Sequence, residues 1–411
     1  MSAVQDVYEL SPMQQGMLFH TLDAPTSGVY VEQRHCLLHG ALAVEAFQQS
    51  WQQVVTRHAV LRTAFHWEEI EKPMQVVYDH AELPWITEDW QSLPEDEQDR
   101  CLNTFLEQDR ARGFQGQLDR PPLMRCALFV LGPDRYRFVW THHHILMDGW
   151  CNALMIQEVL AFYVSLRDGQ ALPSLPPPLP YRDYIIWLQN QDQQRAERYW
   201  RTILSDFDAP TPLGIDRPRQ ASASEIPDSQ TLHLSVAFTA SLQAFARQHH
   251  LTLNTVIQGV WAILLSRYSS VTDVVFGATV SGRPPTLTGV DTMIGLCINT
   301  LPVHLQVEPS LPLLPWLQRI QAQQREHEAH AYSALVDIQA WSGVPRGTPL
   351  FESLLVFENY PTSMLAAVHD DRSGLHISDG QGFEQTNYPL ALMVLPGASL
   401  VLDMRFARER F

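Results

Sequence analysis

Two adjacent histidines followed by an Asp-Gly pair, in the run His143-His144-Ile145-Leu146-Met147-Asp148-Gly149, set a titratable base beside an anchor. A neutral imidazole, with an ordinary pKa of about 6.5, accepts a proton or holds a hydrogen bond near neutral pH. His144 suits that role. Asp148 has two possible uses: to orient the imidazole directly, as in a triad, or to anchor the loop by pairing with a distant arginine. The three consecutive histidines from His142 raise the question of a metal, but no remote His, Glu or Cys cluster completes a shell, so no metal is expected. A Gly-x-Ser-x-Gly elbow and a Gly-x-x-x-x-Gly-Lys-Ser/Thr phosphate loop are both missing from the sequence. The expected chemistry is therefore direct attack of one bound substrate on another.

The elements around the heptad are legible. Ala127 to Leu131 and Tyr136 to Trp140 flank the turn signal Gly132-Pro133-Asp134 and read as a β-hairpin whose second strand leads into the histidines. After Gly149, Ala153, Ile156, Leu160 and Tyr163 keep a helical period that stops near Asp168-Gly169. The histidines thus lie on a strand-to-helix connection, a common place for chemistry on a rigid scaffold. Upstream, Val44, Phe47, Trp51 and Val54/Val55 mark an amphipathic helix. Trp140 and Trp150 flank the histidines, with core packing as the plainer reading of both.

Between Pro173 and Pro180 five of eight residues are proline, which suits a stiff spacer, and a lobe boundary is expected there. A helix from Tyr181 towards Tyr199-Trp200 and a Pro/Ser-rich loop from Ala209 to Ser229 follow. The second half alternates strands near 231–236, 274–280, 298–307, 350–357, 388–394 and 400–405 with helices near 242–249, 254–268 and 313–330. The fold class is α/β (α+β), in two lobes spanning 1–175 and 176–411.

At 411 residues the chain has room for more than one core, and 45% apolar with 18% charged residues is the balance of a folded protein. A net charge of −17 disfavours phosphate-backbone binding, so nucleic acid is not an expected partner. Five scattered cysteines give neither a disulfide framework nor zinc spacing, which fits reduced thiols in the cytoplasm. No apolar run approaches the length of a membrane span, and the N-terminus lacks a signal-peptide pattern.

Several segments, in order, carry a family resemblance. Leu10-Ser11-Pro12-Met13-Gln14-Gln15-Gly16-Met17-Leu18-Phe19-His20, Arg57 to Phe65, the His143 to Gly149 heptad, Tyr181-Arg182-Asp183-Tyr184, Val280-Ser281-Gly282-Arg283-Pro284, Ile294 to Thr300, and Leu350-Phe351 to Pro361 together resemble the blocks of condensation domains of nonribosomal peptide synthetases. The resemblance covers almost the whole chain. It implies two chloramphenicol-acetyltransferase-like lobes in a V-shaped pseudo-dimer with a central tunnel. It also implies donor and acceptor peptidyl carrier proteins as partners, a neighbouring adenylation domain, and a monomeric domain that binds no cofactor itself and receives substrates on phosphopantetheine arms.

By the same resemblance His144 is the active-site histidine, His143 supports it, and Asp148 pairs with Arg283, which would couple the two lobes. Gly149 is either a catalytic position, giving a tethered thioester room and offering an amide to the oxyanion, or simply the start of a helix. Trp140, Arg62, Asn299 and Thr300 are candidates for scaffold or tunnel wall. Cys297 stands where the family more often has an aromatic. Val4-Gln5-Asp6-Val7-Tyr8 into Leu10-Ser11-Pro12-Met13 resembles the subtype that accepts a D-ended donor. The stop at Phe411 suggests a trimmed piece without the family's last helix. An epimerization domain is the nearest rival, but its Glu-Gly-His-Gly-Arg-Glu-like block is replaced by Gly277 to Pro284. Heterocyclization domains carry an aspartate-rich signature, and a noncatalytic docking or recruitment domain of the same fold is the other alternative.

Overall fold

The heptad's scaffold is a strand buried on both faces, and the computed structural model describes it along with residues 3–25, 27–205, 207–215, 228–359, 371–408 and 410–411. Most of the Pro/Ser-rich loop expected at 209–229, and the Tyr360-Pro361 end of the last block, lie outside the described residues. In chain order the elements are β1 (Val4–Glu9), α1 (Pro12–Asp23), β2 (Val31–His39), α2 (Val44–Arg57), β3 (Thr63–His66), β4 (Met74–Tyr78), β5 (Trp85–Asp89), α3 (Glu95–Arg112), β6 (Met124–Gly132), β7 (Arg135–His143), α4 (Trp150–Arg167) and α5 (Tyr181–Gln189). Next come α6 (Gln193–Ile203), β8 (Asp228–His233), α7 (Val236–Gln248), α8 (Leu253–Ser269), β9 (Asp273–Val280), β10 (Asn299–Gln306), α9 (Leu313–Glu328), α10 (Leu335–Trp341) and β11 (Ser353–Phe357). The last strands are β12 (His376–Phe383), β13 (Leu390–Leu395) and β14 (Val401–Phe406).

The chain forms two compact units, each mixed α/β. The first takes Met1–Gln189, returns for Arg283–Cys297, and returns again for Tyr360–Gln385. Its larger sheet runs β12-β2-β7-β6-β5. The expected hairpin is the antiparallel pair β6 and β7. Alternation sends Phe138 and Trp140 to one face, where Phe47 and Trp51 of α2 meet them at 5.2 and 4.9 Å between ring centres. Tyr163 of α4 joins the same cluster. Val139 faces the other way, into a cluster with Phe129 and with Leu102 and Leu106 of α3. Helices on both faces leave every β7 position after Arg135 buried.

The second unit holds a six-stranded sheet in the order β10-β9-β11-β13-β14-β8, with β11 parallel to both of its neighbours. Trp261 and Leu265 of α8 and Leu317 and Ile320 of α9 pack with Val274, Phe276, Val303 and Leu392 in its core.

Two expectations need correction. The helix foreseen from Tyr181 to Trp200 is two helices, because the Asp192 side chain accepts the N–H of Arg195 and starts α6 afresh. The units also do not divide at 175/176. The proline-rich stretch marks a change of element, while packing decides membership: Tyr181 and Tyr184 of α5 donate their hydroxyls to the carbonyls of Leu296 and Cys297, and Trp187 Nε1 donates to Thr286. Gly295 allows this contact, since a Cβ there would lie 2.3 Å from the Tyr181 ring. Those contacts bind α5 and 283–297 into the first unit.

Candidate active site

The second histidine of the pair is held at three points. β7 ends at His143, and the His144 N–H is donated to the Tyr30 carbonyl at 2.8 Å. His144 Nδ1 lies 2.8 Å from the Met147 carbonyl, an acceptor only, so Nδ1 carries the hydrogen. Nε2 is left to work, and it faces Glu32 Oε1 at 3.1 Å, with Glu384 Oε1 at 4.0 Å. Burial disfavours the imidazolium, but Glu32, Glu384, the Met147 carbonyl and Asp148 outweigh it and raise the His144 pKa above its ordinary value. Burial likewise raises the Glu32 carboxyl, against the pull of His144 and Arg34.

The neighbouring imidazoles are different. His143 Nδ1 accepts the Ile145 N–H at 3.1 Å, so its Nε2 holds the hydrogen and reaches Thr21 Oγ1 at 3.1 Å. Thr21 in turn donates to the Met17 carbonyl, which fixes the tautomer. Burial, with the His144 charge, pushes His143 down to about 3, so it stays neutral and structural. His142 is paired in register with Glu32 across β2 and β7. Its Nε2 lies 3.4 Å from Glu32 Oε2, out of line for a hydrogen bond, and among the described residues neither ring nitrogen has a hydrogen-bond partner.

Asp148 does not orient the imidazole. Its Oδ1 meets Arg283 Nη2 at 3.0 Å, its Oδ2 accepts the Cys297 N–H at 2.9 Å, and the Cys151 thiol donates to Oδ1 at 3.3 Å. Arg283 also donates to the carbonyls of Val290 and Met293, and its guanidinium stands 5.4 Å from the Trp150 ring centre. The sequence placed Arg283 in a different lobe from Asp148. Both lie in the first unit, so the pair fastens 283–297 to the loop after β7 and joins segments within one unit.

The remaining candidates have plainer surroundings. Gly149 starts α4 at φ −59° and ψ −25°, a conformation open to any residue. Trp140 is buried between Trp51 and His142. Arg62 donates to Gln5 Oε1 and the Tyr78 carbonyl, tying β1 and β4 to the turn before β3. Asn299 holds the carbonyls of Ala331 and Ser333 in the second unit and accepts the Thr300 N–H.

Sequence reasoning missed Glu32, Arg34 and Glu384. The one available signal was a lone acid in Val29-Tyr30-Val31-Glu32-Gln33, where a buried strand position holds a charge only with a partner. Nothing nearby marks Glu384. The donor atoms of Glu32, His144 and Glu384 lie within 4.8 Å of one another, a grouping a metal ion could use and one the sequence did not disclose. Arg34, 3.3 Å from Glu32 Oε2, already supplies one positive charge, which weighs against a divalent ion.

Comparison with known proteins agrees with this architecture. The family described as Condensation domain matches residues 4–411. One linear gramicidin synthase polypeptide of Brevibacillus parabrevis is 45% identical over 99% of this chain and 8% of its own length, and another from the same organism is 43% identical with the same coverage. Surfactin synthase subunit 3 of Bacillus subtilis (strain 168) is 37% identical over 99% of this chain and 32% of its own. The chain thus spans under a tenth of the gramicidin synthase polypeptides it matches. Among solved structures, the first condensation domain of the calcium-dependent antibiotic synthetase superposes with a TM-score of 0.77 at 20% identity, covering 99% of this chain and 92% of that one. The four-domain nonribosomal peptide synthetase holo-AB3403 gives 0.80 at 18% identity, covering 100% of this chain and 32% of that one. Matched along nearly its whole length, the chain belongs to the condensation-domain family of nonribosomal peptide synthetases, whose members form amide bonds.

Proposed function

We propose that this chain forms the peptide bond in nonribosomal peptide synthesis. The α-amine of an acceptor aminoacyl thioester attacks the carbonyl of a donor thioester; a C–N bond forms, the C–S bond breaks, and the donor arm leaves as a thiol. Donor and acceptor carrier proteins supply both substrates on phosphopantetheine, and an adenylation domain loads the acceptor. No cofactor of the chain's own takes part.

The observation that carries this reading is the single working nitrogen of His144, fixed through Nδ1 on the Met147 carbonyl while Nε2 is turned to the carboxylates. The two thiols beside the loop are poor nucleophiles, because burial pushes the Cys151 thiol up to about 12 and raises Cys297 well above its usual value. An α-amine with a pKa of about 8 is already roughly one-tenth neutral at pH 7. His144 therefore acts chiefly by positioning the amine and stabilising the zwitterionic adduct, with base catalysis secondary. The Gly149 amide faces the developing oxyanion in this scheme.

The resemblance of the opening residues from Val4 to Met13 supports a donor that ends in a D-residue. The test loads matched donor and acceptor carriers with D- and L-ended donors and follows the amide by mass spectrometry. Product from the D-ended donor, lost in His144→Ala, is the expected result. No amide from either donor refutes the proposal, and preference for the L-ended donor refutes the subtype.

A further inference from the structure

We infer that Gln14 is a positioning residue for this reaction: together with Thr21 it makes α1 the template on which the peptide beside His144 is set, and so fixes where the working imidazole stands. This role rests on the proposed function and names two residues that serve it.

Ile145, the residue after His144, has both of its backbone groups carried to α1. Its carbonyl accepts from Gln14 Nε2 at 3.1 Å. Its N–H donates to His143 Nδ1 at 3.1 Å, and His143 passes the grip on: its Nε2 donates to Thr21 Oγ1 at 3.1 Å, while the Thr21 hydroxyl donates to the Met17 carbonyl at 2.8 Å. Gln14 and Thr21 are two turns apart on α1, so both side chains leave the same face of one helix.

At Ile145 a small displacement is passed on to the ring. Two turns overlap in the loop, closed by the Leu146 N–H on the His143 carbonyl and the Met147 N–H on the His144 carbonyl, each at 3.2 Å, and Ile145 is a central residue of both. The Met147 carbonyl that holds His144 Nδ1 stands at the end of the second turn. Tilting the Ile145 peptide therefore moves this acceptor relative to the ring it fixes. A reacting geometry tolerates a displacement of only about 0.5 Å.

The amide itself points the same way. As the third residue of α1, Gln14 closes a capping box in which its Oε1 accepts the Ser11 N–H at 2.9 Å. Glutamate serves such a box as well as glutamine does. An ionised carboxylate, however, would set a second oxygen against the Ile145 carbonyl, where the amide offers a donor. Gln75 fixes which way round the amide lies: its Nε2 donates to the Glu9 carbonyl at 2.9 Å and to Gln14 Oε1 at 3.0 Å, which leaves Gln14 Nε2 turned to the loop. Both amides are fully buried, where an unpaired polar group is costly, so the arrangement resists rearrangement. Capping accounts for Oε1 alone, and the Nε2 bond serves the loop.

The experiment compares Gln14→Met with Thr21→Val, which breaks the other arm of the grip and keeps the side chain's shape. Gln75→Met is the control, an equally buried amide whose hydrogen bonds go to Glu9 and Gln14. Nitrogen NMR of the histidine-labelled full chain, with His144 assigned by its loss in His144→Gln, reads the tautomer at a pH where that ring is neutral. The wild type is expected to show one tautomer, with the hydrogen on Nδ1. In Gln14→Met and Thr21→Val the two ring signals are expected to draw together as the tautomers mix. Amide formation between saturating loaded carriers should then slow about 10- to 100-fold, with each carrier's KM within about twofold of wild type. Gln75→Met is expected to lower thermal stability while leaving the ring signals in place and the rate within about twofold. Thr21→Ser, which keeps the oxygen, should restore both readouts. Unmoved His144 signals in Gln14→Met, or the same movement in Gln75→Met, would overturn the inference, and Thr21→Val decides by the same criterion should Gln14→Met fail to fold. A wild type that makes no amide refutes the proposed function instead, while the ring signals still decide whether α1 sets the imidazole.

Discussion

Cutting the ion pair between Asp148 and Arg283 should loosen the loop that carries His144, and the structure sets the size of the effect. The two side chains are 0% and 5% exposed and lie 3.0 Å apart. Removing one partner of a buried pair costs about 3–5 kcal/mol, because the other charge is stranded. Arg283 would keep the carbonyls of Val290 and Met293, which offset part of that. Asp148→Asn keeps one oxygen, but three donors, the Cys297 N–H, the Arg283 guanidinium and the Cys151 thiol, need the carboxylate. Its new NH2 group would face whichever donor is left. The expected loss is about 2–4 kcal/mol. Two compact units need not unfold together, so the measurement is local: hydrogen exchange of the Cys297 amide, read as an opening free energy. Arg283→Met should cost a similar amount. The double variant should then recover at least about 2 kcal/mol relative to the sum of the singles, since neither charge is left alone. Additivity within about 0.5 kcal/mol would refute the claim that these residues act as a pair.

Gly149→Ala is tolerated by the backbone at φ −59°, so its effect on stability should stay within about 1 kcal/mol; a large fall in amide formation at unchanged stability would locate the need for glycine in the substrate, and a large loss of stability would contradict the geometry. Gly295→Ala drives a Cβ to 2.3 Å from the Tyr181 ring and should cost about 1–3 kcal/mol by thermal unfolding, and Tyr181→Leu in the same chain should recover part of it. His143 is held at about 3 by burial and then by the His144 charge, whereas in the unfolded chain it takes its proton near pH 6.5. The unfolded state binds the extra proton in that window, so stability should fall as pH drops from about 6.5 towards 3 by up to one proton's worth of slope, and the slope should be shallower in His143→Gln.

Much of the scaffold was legible because its signals are local. The period of Val44, Phe47 and Trp51, the Gly132-Pro133-Asp134 turn and the helix after Gly149 each occupy one short window, and each element lies where its pattern placed it. The site was half legible. His144 and Asp148 announce themselves by type and spacing, and the arginine that meets Asp148 was found through the family blocks. Glu32 and Glu384 escaped because neither has a local signature: what brings them to His144 is the pairing of β2 with β7 in one case and a segment over 200 residues downstream in the other. The unit boundary was misplaced for a related reason. Proline content reports the stiffness of a connection, but only the packing of Tyr181 on Gly295 reveals which body α5 joins.

β12 gives the long-range pairing a temporal meaning. It completes the first unit's larger sheet by lying antiparallel to β2, with Phe383 opposite Gln33 and Glu384 the next residue. A nascent chain that has emerged through α5 already holds every other strand of that sheet, but its β2 edge stays bare until more than 180 further residues have been made. Closing so long a loop is slow and comes late. Ribosomal synthesis thus delivers Glu384 long after Glu32, and swapping genes at the proline-rich joint would graft one partner's β12 onto another partner's β2.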